Sequence, residues 1–357
     1  MLLQEKTFTS SEHNDCNRLF KYAEDLGFGD IKFKIDAKTG LRAIIAIHNK
    51  ERGPAIGGCR HIYYDSYDKA LEDVIRLAHG MSSKAAICNL PRGGAKSVIL
   101  RPTIIKDREA FFRSFGEFVH EQQGAYIVAE DSGTSPADMD IIAQVTPYVT
   151  CTSAGGGDPS PYTALGLCRS IEAAVKFKLG SNLNGIRVAI QGTGHVGYYL
   201  ARELANLGAK IIVTDIDQTS ANRCATEFDG QVVSPDAIYS IECDVFAPCA
   251  LGAILNDTTI PLLKASIVAG SANNQLAHKH HGVMLHQRGI LYAPDFLVNA
   301  GGLIYASANY DHIDLKEAKA QIEGLYQSLW DVLERAKAEN KPVSEVVDEI
   351  VEERLTP

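Results

Sequence analysis

No stretch of the sequence holds the roughly 18 uninterrupted apolar residues that a membrane-spanning helix needs. The opening Met1-Leu2-Leu3-Gln4-Glu5-Lys6 does not have the basic-then-apolar layout of a signal peptide. A cytoplasmic protein without a membrane partner is therefore expected. No run of Lys or Arg occurs, and the net charge is -9 at pH 7. A surface that binds phosphate backbones needs clustered cations, so nucleic acid is excluded as a partner. None of the eight cysteines belongs to a CxxC pair, which points to reduced, packed thiols instead of a disulfide framework or a zinc site. The cluster His278, His280, His281 and His286 has no standard ligand spacing. It is expected to be a solvated face, and no metal is expected. Internal repeats and low-complexity segments are missing as well.

What is present is an α/β pattern long enough for two cores, since single cores stop growing near roughly 250 to 300 residues. Ile31-Lys32-Phe33-Lys34-Ile35 and the run from Leu41 to Ile47 flank a turn that ends in Gly40, which predicts a β-hairpin. Apolar residues Ala70, Val74, Leu77 and Ala78 recur at helical spacing from Ser66, with Gly80 standing where a helix stops. A second helix fits Arg108 to Gln122, and its stripe of Phe111, Phe112, Phe115, Phe118 and Val119 is expected to be core.

A Gly-, Pro- and Ser-rich segment from Ser153 to Pro161 marks a linker, after which strands and helices alternate. Arg187–Gln191 and Lys210–Thr214 are strands separated by a helix through Ala205, a βαβ unit. Further strands are expected at Val245–Ala247, Ser266–Ala269 and Ile290–Tyr292, and parallel strands with helical crossovers imply a doubly wound sheet. Lys316 to Leu355 is expected to be helical, broken near Asn340-Lys341-Pro342. The expected organisation is an N-terminal α/β domain over residues 1–149, a Rossmann domain over 150–310 and C-terminal helices over 311–357 that return toward the first domain.

The strand at Arg187 runs directly into Gly192-Thr193-Gly194-His195-Val196-Gly197, a GxGxxG placed between strand and helix. The first glycine permits a tight turn, the second lets backbone approach a pyrophosphate, and the third allows close helix packing. The helix N-terminus then offers its free amides to phosphate. Asp215, at the end of the next strand, would accept hydrogen bonds from a ribose and repel a 2′-phosphate. Asp217 adds to that repulsion and Arg223 is the nearest cation, so NAD is the expected cofactor. A purely structural glycine turn is the alternative, and His195 needs no chemistry to occupy its place.

The first half carries Gly57-Gly58-Cys59-Arg60, Gly80-Met81-Ser82-Ser83-Lys84 and Leu90-Pro91-Arg92-Gly93-Gly94-Ala95-Lys96. Two lysines close together, one behind a Gly-Gly pair, resemble the active-site signature of the glutamate, leucine, phenylalanine and valine dehydrogenase family. The resemblance extends through Ala129-Glu130-Asp131, Asp158-Pro159-Ser160-Pro161, the runs Ala247–Gly252 and Gly270–Gln275, and Asn299-Ala300-Gly301-Gly302. It departs from the pattern beyond Val98, at Arg101-Pro102-Thr103, and again at Leu303 and Ala306, which replace valines usual in leucine-specific members.

The resemblance implies NAD-dependent, reversible oxidative deamination of an L-amino acid to its 2-oxo acid and ammonium by a homo-oligomer. It further implies that Lys84 holds the substrate α-carboxylate with Asn299 as a second contact. Lys96 would be the catalytic lysine and Asp131 the proton carrier for the amine. Burial and the like charge of Lys84 would favour the neutral amine that Lys96 needs as a base. For Asp131 a turn or helix-cap role is the alternative. Thr163, Asn273 and Asn274 match positions near the cofactor, or satisfy loop backbone. The side-chain pocket would comprise Ile56, Gly57, Met81, Ala129, Leu303 and Ala306. Ile56 replaces the lysine that binds the distal carboxylate in glutamate-specific members, so a branched aliphatic substrate such as leucine is expected. Phenylalanine or tryptophan is the close alternative, and a non-catalytic NAD-binding protein the distant one.

Overall fold

The computed structural model describes residues 20–250 and 252–355. Contacts divide the chain into two units: residues to Ser82 with Pro91–Ala154, and Ser83–Leu90 with Gly155 onward.

The first unit is built on a five-stranded sheet of order β1-β2-β4-β3-β5, with β1 Asp30–Asp36, β2 Leu41–Asn49, β3 Ala55–Ile62, β4 Gly93–Leu100 and β5 Tyr126–Glu130. The expected hairpin forms, β1 pairing antiparallel with β2. Its turn is closed by Asp36, whose carboxylate accepts from the Lys38 amide at 2.9 Å and the Thr39 hydroxyl at 2.8 Å, while Gly40 takes φ +80°. β3 lies between β4 and β5 and pairs in parallel with both.

These inner strands were not legible, because β3 and β4 are rich in glycine, which reads as a turn. Their glycines serve close approach. A Cβ on Gly57 would stand 1.7 Å from the Ala95 carbonyl, and one on Gly94 2.0 Å from the Ser82 amide nitrogen. The helix expected to stop at Gly80 instead continues from Tyr67 to Ile87. Ala85 and Ala86, both fully buried, prolong its apolar face. An interior glycine costs only about 1 kcal/mol, which that burial outweighs.

The helix Arg108–His120 is capped by Asp107, which accepts from the Ala110 amide, and it buries the predicted phenylalanine stripe against Tyr126, Val128 and Ile99. That face is core, as expected.

The second unit holds a six-stranded, all-parallel sheet: β6 Arg187–Gln191, β7 Lys210–Thr214, β8 Gln231–Val232, β9 Val245–Pro248, β10 Ile267–Val268 and β11 Leu291–Tyr292. Its order, β8-β7-β6-β9-β10-β11, is the 3-2-1-4-5-6 arrangement of the doubly wound dinucleotide fold. Every expected strand is present; the two-residue β8 is too short to leave a periodic signal. The switch in strand order falls between β6 and β9, where ligands bind in such sheets. Toward the C-terminus, helices span Leu315–Glu323, Leu325–Glu339 and Val343–Leu355. The break at Asn340 is a left-handed cap with φ +51°. A further break at Gly324 was not anticipated.

Phe115 is completely buried among aromatic neighbours. Phe115→Ala is expected to destabilise the first unit by about 3 to 5 kcal/mol, measurable as a lowered midpoint in urea unfolding.

Candidate active site

Three adjacent strands bring the first unit's functional groups together. Gly58 of β3 lies in register with Ala129 of β5, two residues before Asp131, and Lys96 projects from β4. Lys96 Nζ stands 2.5 Å from Asp131 Oδ2, the lysine side chain 8% and the aspartate 19% exposed. The space they occupy exists because residue 58 has no side chain. A Cβ there would lie 2.7 Å from Asp131 Cβ and 3.2 Å from Lys96 Nζ. Gly58 is thus a site residue not singled out from the sequence, although the Gly-Gly pair was its signal.

Asp131 does not cap a helix. Its amide donates to Thr134 Oγ1 at 3.0 Å, and the same hydroxyl donates to the carbonyls of Asp131 and Cys59. The carboxylate is left to face cations. Burial opposes its ionisation, but Lys96 and Arg60 together hold it well below the usual carboxylate range. Arg60 Nε lies 3.4 Å from Asp131 Oδ2, and Arg60 Nη1 2.9 Å from Asp73. Behind the pair, Tyr126 donates to the Gly57 carbonyl at 2.9 Å and lies 2.8 Å from the Ser97 hydroxyl, fixing the β3 backbone. Burial pushes the neighbouring Cys59 thiol up to about 12, so it stays neutral. Of the predicted pocket residues here, Ile56 and Gly57 are buried on β3, Ala129 is buried on β5 and Met81 is half-buried.

In the second unit Lys84, in the last turn of Tyr67–Ile87, falls within electrostatic reach of Asp295. Burial raises the Asp295 carboxyl, against the pull of Lys84 and the Asn274 amide. That amide donates to Asp295 Oδ2 at 2.5 Å, and the Asn299 amide donates to the Asp295 carbonyl at 2.9 Å. Asn299 Nδ2 donates to Asn273 Oδ1 and to the Ser271 carbonyl, both at 3.0 Å. Asp295 therefore links three predicted site residues, and nothing in its local sequence announced it. Leu303 and Ala306, both buried, follow Asn299 at helical spacing on one face. Asn299 Oδ1 is buried and accepts no hydrogen bond.

The GxGxxG turn has the required geometry. Gly192 adopts φ +99°, and a Cβ on Gly197 would stand 1.9 Å from the Gly192 carbonyl. Gly194 is exposed, with nothing within 4 Å of where its Cβ would be, and it begins the helix His195–Asn206 without a side-chain cap. No side chain caps the first-turn amides, which are the groups a phosphate at a helix N-terminus would use. Asp215 accepts from the Thr193 amide at 2.6 Å, from its hydroxyl at 3.2 Å and from the Asp217 amide at 2.9 Å. It braces the turn with these three bonds and keeps a further lone-pair site. Val196 is half-buried, and exposed His195 pairs with Asp158 at 3.2 Å. Thr163 donates to the Pro159 carbonyl at 3.2 Å, so its hydroxyl proton serves the first turn of the helix Ser160–Leu179.

Residues 29–148 match the family model described as Glu/Leu/Phe/Val dehydrogenase, dimerisation domain, and residues 155–222 and 213–340 match Glutamate/Leucine/Phenylalanine/Valine dehydrogenase. The chain belongs to this family. The dehydrogenase is 47% identical over 341 residues to a leucine dehydrogenase of Geobacillus stearothermophilus, covering 94% of this chain and 93% of that protein. It is 39% identical over 339 residues to an L-tryptophan dehydrogenase of Nostoc punctiforme, covering 94% and 96%. The crystal structure of L-tryptophan dehydrogenase from Nostoc punctiforme matches with a TM-score of 0.79 at 38% identity, over 94% of this chain and 98% of that one.

The histidine cluster of the dehydrogenase differs from its expected solvated face. His281 is fully buried, and with His280 it faces Asp257, the ligand-type atoms lying within 4.8 Å of one another. His281 Nδ1 accepts from the His278 amide at 2.9 Å. The neutral ring then keeps its proton on Nε2, 3.4 Å from Asp257 Oδ1, and offers no lone pair to a metal there. Seven cysteines are free and buried or half-buried, and Cys16 lies outside the described residues. No helix among the described residues is long and apolar enough to cross a membrane.

Gly58→Ala is expected to lower kcat by about 100-fold, because a methyl displaces the Lys96–Asp131 pair. Steady-state assays beside a thermal melt check it: the melting temperature should fall far less than the rate.

Proposed function

We propose that this dehydrogenase catalyses the NAD-dependent, reversible oxidative deamination of a branched aliphatic L-amino acid, leucine foremost, giving the 2-oxo acid and ammonium. The observation that carries this reading is the shielded Lys96–Asp131 ion pair opposite Gly58, in a chain 47% identical to a leucine dehydrogenase. Bound NAD supplies the hydride acceptor. Lys84 holds the substrate α-carboxylate, with Asn299 as a second substrate contact. Lys96 takes the proton from the water that attacks the iminium carbon, and Asp131, at 2.5 Å, passes a proton to or from the amine.

NAD over NADP is supported by Asp215, whose carboxylate sits at the turn, and by Asp217 next to it. The nearest candidate cation, Arg223, is stacked on the Tyr198 ring at 4.7 Å. Gly192, Thr193, Gly194, His195, Val196 and Gly197 would form the phosphate cradle, with Thr163, Asn273 and Asn274 flanking it. Ile56, Met81, Ala129, Leu303 and Ala306 are the apolar residues assigned to the substrate side chain in this reading. A glutamate carboxylate would find no cation among them and would be rejected by several kcal/mol. The small Ala129 and Ala306, together with the resemblance to a tryptophan dehydrogenase, support an aromatic amino acid as the second reading. A cytoplasmic homo-oligomer is part of the proposal. It is supported by the dimerisation description of the first family model and by exposed Phe33 and Ile35 on the edge strand β1.

NADH absorbance with leucine, isoleucine, valine, phenylalanine, tryptophan and glutamate tests the substrate. The highest kcat/KM is expected for a branched aliphatic, at least tenfold above the aromatics, and an aromatic winner selects the second reading. With NADP in place of NAD, kcat/KM should fall at least 100-fold; equal use of both cofactors would contradict the role given to Asp215. Lys96→Ala should lose more than 1,000-fold in turnover while NADH still binds in a fluorescence titration.

A further inference from the structure

Arg60 follows Gly58 by two residues on β3, so its side chain leaves the strand on the same face, toward the Lys96–Asp131 pair. Its guanidinium is held from two directions. Nε approaches Asp131 Oδ2 at 3.4 Å, and Nη1 donates to Asp73 Oδ2 at 2.9 Å. Asp73, on the helix Tyr67–Ile87, is itself fixed by the Tyr64 hydroxyl at 2.7 Å and by Arg76 at 3.1 Å. The result is a row of alternating charge, Arg76, Asp73, Arg60, Asp131, Lys96, in which the inner side chains are at most 19% exposed.

We propose that Arg60 is a positioning residue for proton transfer: anchored by Asp73, it keeps the Asp131 carboxylate in place and paired while Lys96 is neutral, and so sets the low-pH limit of turnover. The proposal rests on the roles assigned above to Lys96 and Asp131.

The physical need follows from those roles. A lysine acting as base must lose its charge, and at that moment a shielded carboxylate 2.5 Å away loses its nearest counter-ion. An uncompensated charge in such a place is strongly unfavourable. Lys96 from β4 and Arg60 from β3 face Asp131, and Cys59 of β3 and Tyr126 of β5 feel its charge from the other side of the sheet. Burial raises Cys59 and Tyr126 and keeps both uncharged, so neither supplies a cation. Arg60 does not deprotonate in proteins and is the cation that persists through the cycle. Its rigid fork, clamped on Asp73, also prevents the carboxylate from following the lysine.

The test is the pH profile of kcat/KM for the amino acid at saturating NAD, in wild type, Arg60→Met, Arg60→Gln and Arg60→Lys. Removing a cation favours the protonated form of whichever member of the pair controls the acid limb. Both neutral variants should therefore move that limb about one unit to higher pH, with a rate loss of about tenfold below it. Arg60→Lys should bring the limb back toward wild type, and NADH binding by fluorescence should be unchanged in all three. A merely structural role would lower the rate at every pH without moving the limb. An unmoved limb in a neutral variant that binds NADH overturns the proposal, as does a limb displaced equally in Arg60→Lys. Asp131→Asn separates the two levels. If it turns over normally, the Lys96–Asp131 roles are wrong; if it is inactive and the neutral Arg60 variants keep the wild-type limb, only the role of Arg60 is wrong.

Discussion

A lysine and an aspartate held 2.5 Å apart and largely shielded from water impose demands on everything around them. The attraction between them is strong in such a setting, yet both charges must first be taken out of water, and only close geometry with further partners offsets that cost. The first unit meets these conditions with backbone more than with side chains. Parallel pairing of β3 with β4 and β5 sets three strands side by side, so that a residue on each outer strand can meet over the middle one. The middle strand must then carry nothing at the meeting point, and Gly58 fulfils that requirement. Gly57 and Gly94 extend the same logic, letting strand and helix backbones approach where any Cβ would collide. Tyr126, tied to Ser97 and the Gly57 carbonyl, locks the strand from the opposite side.

The second unit solves a different problem with similar means. A pyrophosphate can be approached only by backbone amides that are not already satisfied, and a helix N-terminus lacking a side-chain cap provides them. Gly194 leaves that terminus open, while Gly192 and Gly197 allow the turn to fold tightly behind it. Asp215 holds the turn through the Thr193 amide and hydroxyl. One carboxylate thereby shapes the turn and places negative charge beside it. Asp295 has a comparable place farther along the chain, binding the Asn274 amide and accepting the charge of Lys84 in a buried setting. Its raised carboxyl shows how far burial there outweighs the surrounding donors.

Much of this was legible before any coordinate. The βαβ unit with its GxGxxG, the acidic residue after the second strand and the phenylalanine stripe each depend on local spacing, which a linear sequence displays directly. The paired lysines and the Gly-Gly motifs were legible as a resemblance, which named residue types and roles but not their arrangement. Other features escaped notice. The strands β3 and β4 were hidden because glycine signals turns wherever its neighbours are unknown. The helix past Gly80 was hidden because its continuation depends on burial of Ala85 and Ala86. The buried position of His281 was hidden because a run of histidines looks polar whatever packs over it.

The sequence by itself determined the order of elements, the dinucleotide turn and the residue types at the pair, because these follow from periodicity and from the steric needs of single residues. Only the tertiary structure decided that Lys96, 35 residues before Asp131 in the chain, meets it across Gly58, and that Arg60 and Asp73 stand behind them. The physical reason is that a side chain's environment is made by residues distant in sequence. Strand order and register select those neighbours, and parallel pairing leaves no local signature from which to infer them.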